Sequence, residues 1–245
     1  MPTLRDWLAE APFTLGLSSG FFGFFAHAGV VAVLEAEGLR PARICGSSAG
    51  ALTGGLWAAG VPAGRLCEEL LSLRRADFWD PAPGLGLLRG ARFRARLEAL
   101  LPVRTFEACP CPFAVSAYDV AARRTAVLAT GALVPAIYAS CAAPVLFQPI
   151  RIDGRRYLDG GVADRPGLAG RGPPGRLLYH HLTSRSPWRR PGSPALRVPV
   201  LPGLQAVALE GIPRLGPFRL ARAGEALERA AEGMRAALDR PVGPA

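Results

Sequence analysis

The sequence predicts an α/β fold with a mostly parallel central sheet, and three observations carry that expectation. Short apolar runs alternate with helix-patterned segments through the first half of the chain. Glycine- and serine-rich turns join the ends of two of those runs to helices. No internal repeat and no composition break divides the 245 residues, so one domain over 1–245 is expected, a size that supports a sizeable core.

The elements follow in order. Pro12–Ser18 is apolar and reads as a buried strand; a Gly/Phe loop follows, then a helix over Phe25–Glu37 that Gly38 stops. Ala42–Gly46 is a second short strand, and Ala49–Ala59 is a helix opening directly after a glycine-flanked pair of serines. Pro62–Arg75 is helical with its proline near the start. Asp77–Gly90 is rich in Pro and Gly and reads as a mobile loop before a helix over Ala91–Leu101. Phe113–Val120 and Thr125–Thr130 form a strand pair, and Leu133–Cys141 is a helix. The alternation around Asp153-Gly154 in Ile150–Leu158 predicts a hairpin. Arg176–Leu182 is a further strand, Thr183–Pro202 a Pro/Arg-rich connection, and Phe218–Leu238 a terminal amphipathic helix of the core-packing kind.

Composition narrows the function classes. The net charge is +10 and every cation is arginine. The arginines are spread along the chain, and the densest cluster, Arg185–Arg190, reads as a solvated loop without any nucleic-acid-binding signature, so no nucleic-acid partner is expected. Five cysteines form neither a paired zinc pattern nor a disulfide framework, which predicts free thiols in a reducing compartment and no metal. Ala11–Leu34 lacks acidic residues, Arg and Lys and is long enough to span a bilayer, yet Pro12 and Gly20-Phe21-Phe22-Gly23 interrupt it. Asp6 and Glu10 before it are wrong for a signal peptide. The expectation is a buried strand, loop and helix, no transmembrane segment, and a cytoplasmic protein.

The chemistry centres on Gly46-Ser47-Ser48-Ala49-Gly50, which fits G-x-S-x-G with Ser48 in the middle. A nucleophile on a tight strand-to-helix turn sits in a strained conformation, and small residues two positions either side remove the clash between strand and helix. The helix then aims its free N–H groups at the reaction centre. Upstream, Ser18-Ser19-Gly20-Phe21-Phe22-Gly23 ends another strand and can turn amides toward a developing oxyanion. It serves equally well as a plain tight connection. Tyr157-Leu158-Asp159-Gly160-Gly161 ends a hairpin strand with a carboxylate, either a base for Ser48 or a turn-stabilising residue.

Four blocks in this order resemble the patatin-like phospholipases, serine lipid acyl hydrolases with a Ser–Asp dyad. They are Ser18–Gly29, the Ser48 elbow, Ala139–Pro144 with Phe147 and Pro149, and Asp159-Gly160-Gly161. The resemblance implies a three-layer sandwich, Ser48 as nucleophile supported by Gly46 and Gly50, and Asp159 as base in a loop shaped by Gly160 and Gly161. It implies an oxyanion hole among Gly20, Phe21, Phe22 and Gly23, the last supporting the turn, and no cofactor. The motif-bearing part covers about 12–182. The loop departs from the family's usual pattern: Ser19 and Phe21 stand where glycines are common, and no Arg or Lys is present there. No carboxylate-rich calcium loop occurs either.

The resemblance implies ester cleavage through an acyl-enzyme, on a lipid or ester substrate that can lie at a membrane surface, with the protein cytoplasmic or peripheral to that membrane. Phenylalanines around Gly23 either shield the site and line an acyl pocket or are plain core. Asp77–Gly90 and Thr183–Pro202 are candidate selectivity elements. Two other readings stand: an esterase with a Ser48–Asp159–His180 or His181 triad, since both histidines follow Asp159, and a catalytically weak lipid-binding protein on the same scaffold.

Overall fold

A computed structural model describes residues 1–183 and 192–243. The Arg185–Arg190 cluster lies outside the described residues. In chain order the elements are α1 (Leu4–Glu10), β1 (Phe13–Leu17), α2 (Phe24–Ala36), β2 (Arg43–Ser47), α3 (Ala49–Ala58), α4 (Ala63–Leu71), β3 (Gly86–Leu88), α5 (Ala91–Leu100), β4 (Phe113–Asp119), β5 (Arg124–Leu128), α6 (Leu133–Cys141), β6 (Val145–Phe147), β7 (Ile150–Ile152), β8 (Arg155–Asp159), β9 (Arg176–Leu182), β10 (Leu204–Leu209) and α7 (Ala223–Leu238).

Among the described residues, eight strands form one sheet in the order β10-β9-β1-β2-β4-β8-β7, with β5 also on β4. The pairs β10/β9, β9/β1, β1/β2 and β2/β4 are parallel, and the hairpin strands are antiparallel. Side chains alternate across the sheet as the two-residue strand period requires. Leu15, Leu17, Ile44 and Leu178 enter a large core with α2, α3, α4, α6 and α7. Cys45, Leu177 and Tyr179 point the other way, under Leu168 and Leu201. The second face is therefore covered by the connection after β8 and by the Pro-rich segment before β10.

Three small residues set the helix packing. A Cβ on Gly29 of α2 would strike the Leu227 carbonyl of α7, so glycine lets those two helices cross closely. Gly54 and Gly55 bring α3 against Ile44, Phe113 and Ile137. Every residue of α3 is buried. The span Ala11–Leu34 resolves into β1, the loop and α2, and among the described residues no helix is long and apolar enough to cross a membrane.

Several boundaries differ from the sequence expectation. Asp77–Gly90 is not all loop: β3 pairs in parallel with β6, Gly86 opposite Val145 and Leu88 opposite Phe147. α4 stops at Leu71, because Leu73 and the following arginines turn into a single 3-10 turn at Arg75–Asp77. α7 begins at Ala223 rather than Phe218: after Gly216-Pro217 the Arg219 and Ala223 amides donate to the Gly216 and Leu220 carbonyls in three-residue turns, and the helical ladder starts only with the Ala226 amide on the Arg222 carbonyl. α1 and β10 add to the elements expected.

Candidate active site

Ser48 sits between β2 and α3 with φ 52° and ψ −114°, a left-handed backbone that a serine adopts only under constraint. The glycines explain how the turn is held. A Cβ on Gly46 would lie 2.6 Å from the backbone of Gly50, and one on Gly50 would strike the Leu17 carbonyl of β1. The Ser48 amide donates to Ser140 Oγ at 2.9 Å, and that hydroxyl donates to the Ser116 carbonyl at 2.7 Å. Cys141 Sγ points at the Ser48 carbonyl, 3.2 Å away. The end of α6 thus clamps both backbone groups of Ser48, a role that nothing in the Ser140-Cys141 pattern announces.

The side chain of Ser48 donates to Asp159 Oδ2 at 2.6 Å. Asp159 Oδ1 accepts the Gly161 amide at 2.8 Å, which fixes the carboxylate's rotation. Glycine is required next to it, because a Cβ on Gly160 would strike the Ser116 carbonyl. Asp159 is buried. Burial raises its pKa to about 6, while the bonds from Ser48 and the Gly161 amide pull the other way. At neutral pH the carboxylate is therefore mostly ionised, yet a far stronger proton acceptor than an exposed aspartate.

Ser18 anchors the loop before α2 through all of its polar groups. Its amide donates to the His180 carbonyl at 3.3 Å, its hydroxyl accepts the Leu182 amide at 2.8 Å, and its carbonyl lies 2.8 Å from His27 Nε2. The Ser19 amide donates to the Arg165 carbonyl at 2.8 Å. Of the four loop residues expected at an oxyanion hole, Gly23 differs from the rest: its amide donates to the Gly20 carbonyl at 2.9 Å and closes the turn. Among the described residues, the amides of Gly20, Phe21 and Phe22 have no protein acceptor. Phe22 takes φ 55°, the second left-handed residue beside the site.

These groups open onto one cavity of about 150 Å³. Ser48, Asp159, Gly20 and Arg165 line one part of it; Leu52, Leu56, Leu70, Phe93, Leu97 and Leu100 line an apolar part between α3, α4 and α5. Phe21, Phe22 and Phe24 also face it, whereas Phe25 belongs to the core alone. Asp77 and Phe78 bring the Asp77–Gly90 segment into the wall. Of Thr183–Pro202, residues 184–191 lie outside the described residues, and none of the described ones lines the cavity.

The histidines are engaged elsewhere. His27 Nδ1 and His180 Nδ1 are 2.8 Å apart, and His181 Nδ1 is 3.2 Å from the Tyr179 hydroxyl. Neither His180 nor His181 bonds to Ser48 or Asp159, which removes the geometric basis of a triad. The reason is strand direction: consecutive residues of β9 point to opposite faces, and both rings are buried there among their own partners. Among the described residues no cluster of three or more His, Cys, Asp or Glu could hold a metal ion.

A family profile described as patatin-like phospholipase matches residues 15–169, which takes in the loop, Ser48 and Asp159. Uncharacterized NTE family proteins of Mycobacterium tuberculosis and Mycobacterium bovis are 33% identical over 157 residues, 61% of this chain and 42% of each relative. The chain thus spans about two fifths of the length of those curated relatives. The crystal structure of VipD from Legionella pneumophila has the same fold, with a TM-score of 0.66 at 14% identity across 93% of this chain and 67% of that one. With the match extending over most of the sheet and both ends of the Ser48–Asp159 contact, the chain belongs to the patatin-like phospholipase family.

Proposed function

We infer that this chain is a serine lipid acyl hydrolase of the phospholipase A, lysophospholipase or esterase type, which cleaves carboxylic esters through a Ser48–Asp159 dyad. The observation that carries the reading is the 2.6 Å bond from Ser48 Oγ to a buried carboxylate at the head of an apolar cavity.

The steps follow from the groups present. Asp159 accepts the hydroxyl proton as Ser48 Oγ attacks the ester carbonyl carbon. The carbonyl π electrons move to oxygen, and the amides of Gly20, Phe21 and Phe22 meet that oxyanion. One such donor is typically worth roughly 10²–10³ in turnover. Collapse expels the alcohol or lysolipid, which takes the proton from Asp159. Water then attacks the acyl-enzyme with Asp159 again as base, releasing the fatty acid and restoring Ser48. Burial supports this use of aspartate, since a desolvated carboxylate is the stronger base. The apolar walls at Leu52, Leu56 and Leu97 suit an acyl chain.

A fluorophosphonate probe tests the reading. Wild-type protein is expected to label, Ser48→Ala not at all, and Asp159→Asn far more slowly, with His180→Ala and His181→Ala still labelling. An unlabelled wild type, or Ser48→Ala labelled equally, overturns the hydrolase; loss of labelling in a folded histidine variant overturns the dyad.

A further inference from the structure

Among the described residues, six exposed large apolar side chains lie on the segments around the cavity mouth. Val145 is 71% exposed, Leu85 and Phe218 69%, Leu87 50%, Phe21 44% and Val162 39%. A grouping of large exposed apolar side chains around one opening marks a site of interaction with a protein, membrane or ligand.

Their continuity is built into the fold. Gly86 pairs with Val145, so Leu85 and Leu87 sit either side of that valine's partner on the same short β3–β6 ribbon, which exposes all three to solvent. Pro144 and Leu146, either side of Val145, line the cavity, as do Phe21 and Val162. Phe218 packs on Trp79 at 5.6 Å, next to the cavity residue Phe78, and its loop reaches Phe21: a Cβ on Gly216 would be 3.7 Å from the Phe21 ring. Val145 also has φ 70°, a conformation that a β-branched residue adopts only at an energetic cost. The core gains nothing from that strain, because the isopropyl group faces solvent.

Charge selects the partner. Arg75 lies 5.1 Å from the Phe218 ring centroid, and Arg89 and Arg219 are exposed beside β3 and Phe218. The nearby acids are engaged: Asp77 pairs with Arg96 at 3.3 Å, and Asp80 accepts the Gly90 and Arg92 amides at the start of α5. Exposed apolar side chains on a short ribbon and its neighbouring loops, with Arg75, Arg89 and Arg219 beside them on a chain of net charge +10, suit insertion between lipids at an anionic surface. We propose that this rim docks the cavity mouth-down on an anionic phospholipid bilayer. The choice of partner rests on the acyl hydrolase reading; the rim itself does not.

The test uses Ser48→Ala protein, which leaves the vesicles intact. Co-sedimentation with phosphatidylcholine vesicles containing phosphatidylglycerol is expected, with at least about tenfold weaker binding to phosphatidylcholine alone or at high salt. Leu87→Asp and Val145→Asp, neither of which lines the cavity, are expected to cut vesicle binding by about tenfold or more. In the Ser48 protein both leave hydrolysis of soluble p-nitrophenyl butyrate at the wild-type level. Failure of the parent to bind either vesicle, or unchanged binding by both aspartate variants, overturns the rim. A Val145→Trp variant gives an independent reading: brominated phospholipid is expected to quench its added emission, and no quenching overturns the proposal. Vesicle binding without any butyrate turnover would sink the hydrolase reading and leave the rim standing.

Discussion

Ser48 and Asp159 meet because β2 and β8 dock end to end on one edge of β4. Ser47 pairs with Ser116, and Asp159 pairs with the next residue, Ala117. β5 occupies the other edge over Val115–Asp119, so β2 and β8 must share the remaining one. The antiparallel arrival of β8 brings its last side chain to the last residue of β2. That register, with the Gly46 and Gly50 turn, closes a 2.6 Å contact between residues 111 positions apart.

Burial sets a pH limit on this contact. With Asp159 raised to about 6, the ionised base is lost as pH falls through that value, and kcat/KM is expected to drop about tenfold per pH unit below it. Stability responds in the opposite sense. Between about 4 and 6 the folded carboxyl holds a proton that the unfolded one has released, so this group destabilises the fold as pH rises through that window. Asp159→Asn is expected to be more stable at pH 7 by up to roughly 3 kcal/mol, while losing roughly 10²–10⁴ in turnover. Denaturant melts and a rate profile from pH 4 to 8 check both.

The backbone strain at Ser48 predicts a divergence between two variants that lack its hydroxyl. Ser48→Ala keeps the left-handed conformation, whereas Ser48→Gly relieves it. The glycine variant is expected to be the more stable by about 1 kcal/mol or more, read as a shift in denaturation midpoint.

Removing Ser140 separates positioning from chemistry. Ser140→Ala leaves the Ser48 amide and the Ser116 carbonyl buried without that hydroxyl, at a cost of roughly 1–3 kcal/mol. We expect a lower kcat with KM little changed, because the nucleophile moves while the apolar cavity does not; a rise in KM alone would contradict it.

The buried histidine pair opposes Asp159 in acid. Donation to the Ser18 carbonyl requires the proton of His27 on Nε2, so its Nδ1 accepts from His180 Nδ1. Burial lowers His27 to about 4 and holds His180 well below its ordinary value. Between 6.5 and 4 the unfolded histidines take up protons that the folded ones refuse, so stability is expected to fall with pH in that window. In an Asp159→Asn background, His180→Leu should flatten that slope by about one proton, measured by denaturation at pH 5, 6 and 7.

Leu56 gives a chain-length prediction. It lies eight residues beyond Ser48 on α3, about 12 Å along the helix. Leu56→Trp is expected to lower kcat/KM at least about tenfold for long acyl esters relative to butyrate. An unchanged length profile would place the acyl chain elsewhere.

The long apolar runs and periodic helices were legible because each has a strong local signal: β1, β2, β4, β9, α2, α3 and α6 lie where alternation, Gly38 and the glycine-flanked serines put them. Strands β3 and β6 have only three residues each among prolines and glycines, and they exist through one another. Leu204–Leu209 lies half solvated beside Pro202 and, among the described residues, pairs with β9 alone. α1 did carry a readable signal, the Thr3–Asp6 capping box. At the site, Ser48 and Asp159 stand out by their glycines. Ser140, the Ser18 anchors and the cavity wall from Phe93 to Leu100 do not, because their roles arise from contacts across the fold.

The position of β1 bears on how the Ser48 turn comes into being. Leu17, which Gly50 packs against, belongs to a strand held between β2 and β9, with Phe13 paired to Arg176. The sheet therefore cannot zip shut around the elbow until β9, far downstream of Ser48, has been made. Such distant pairings make folding slow, and the turn that strains Ser48 is not locked until β9 arrives beside β1.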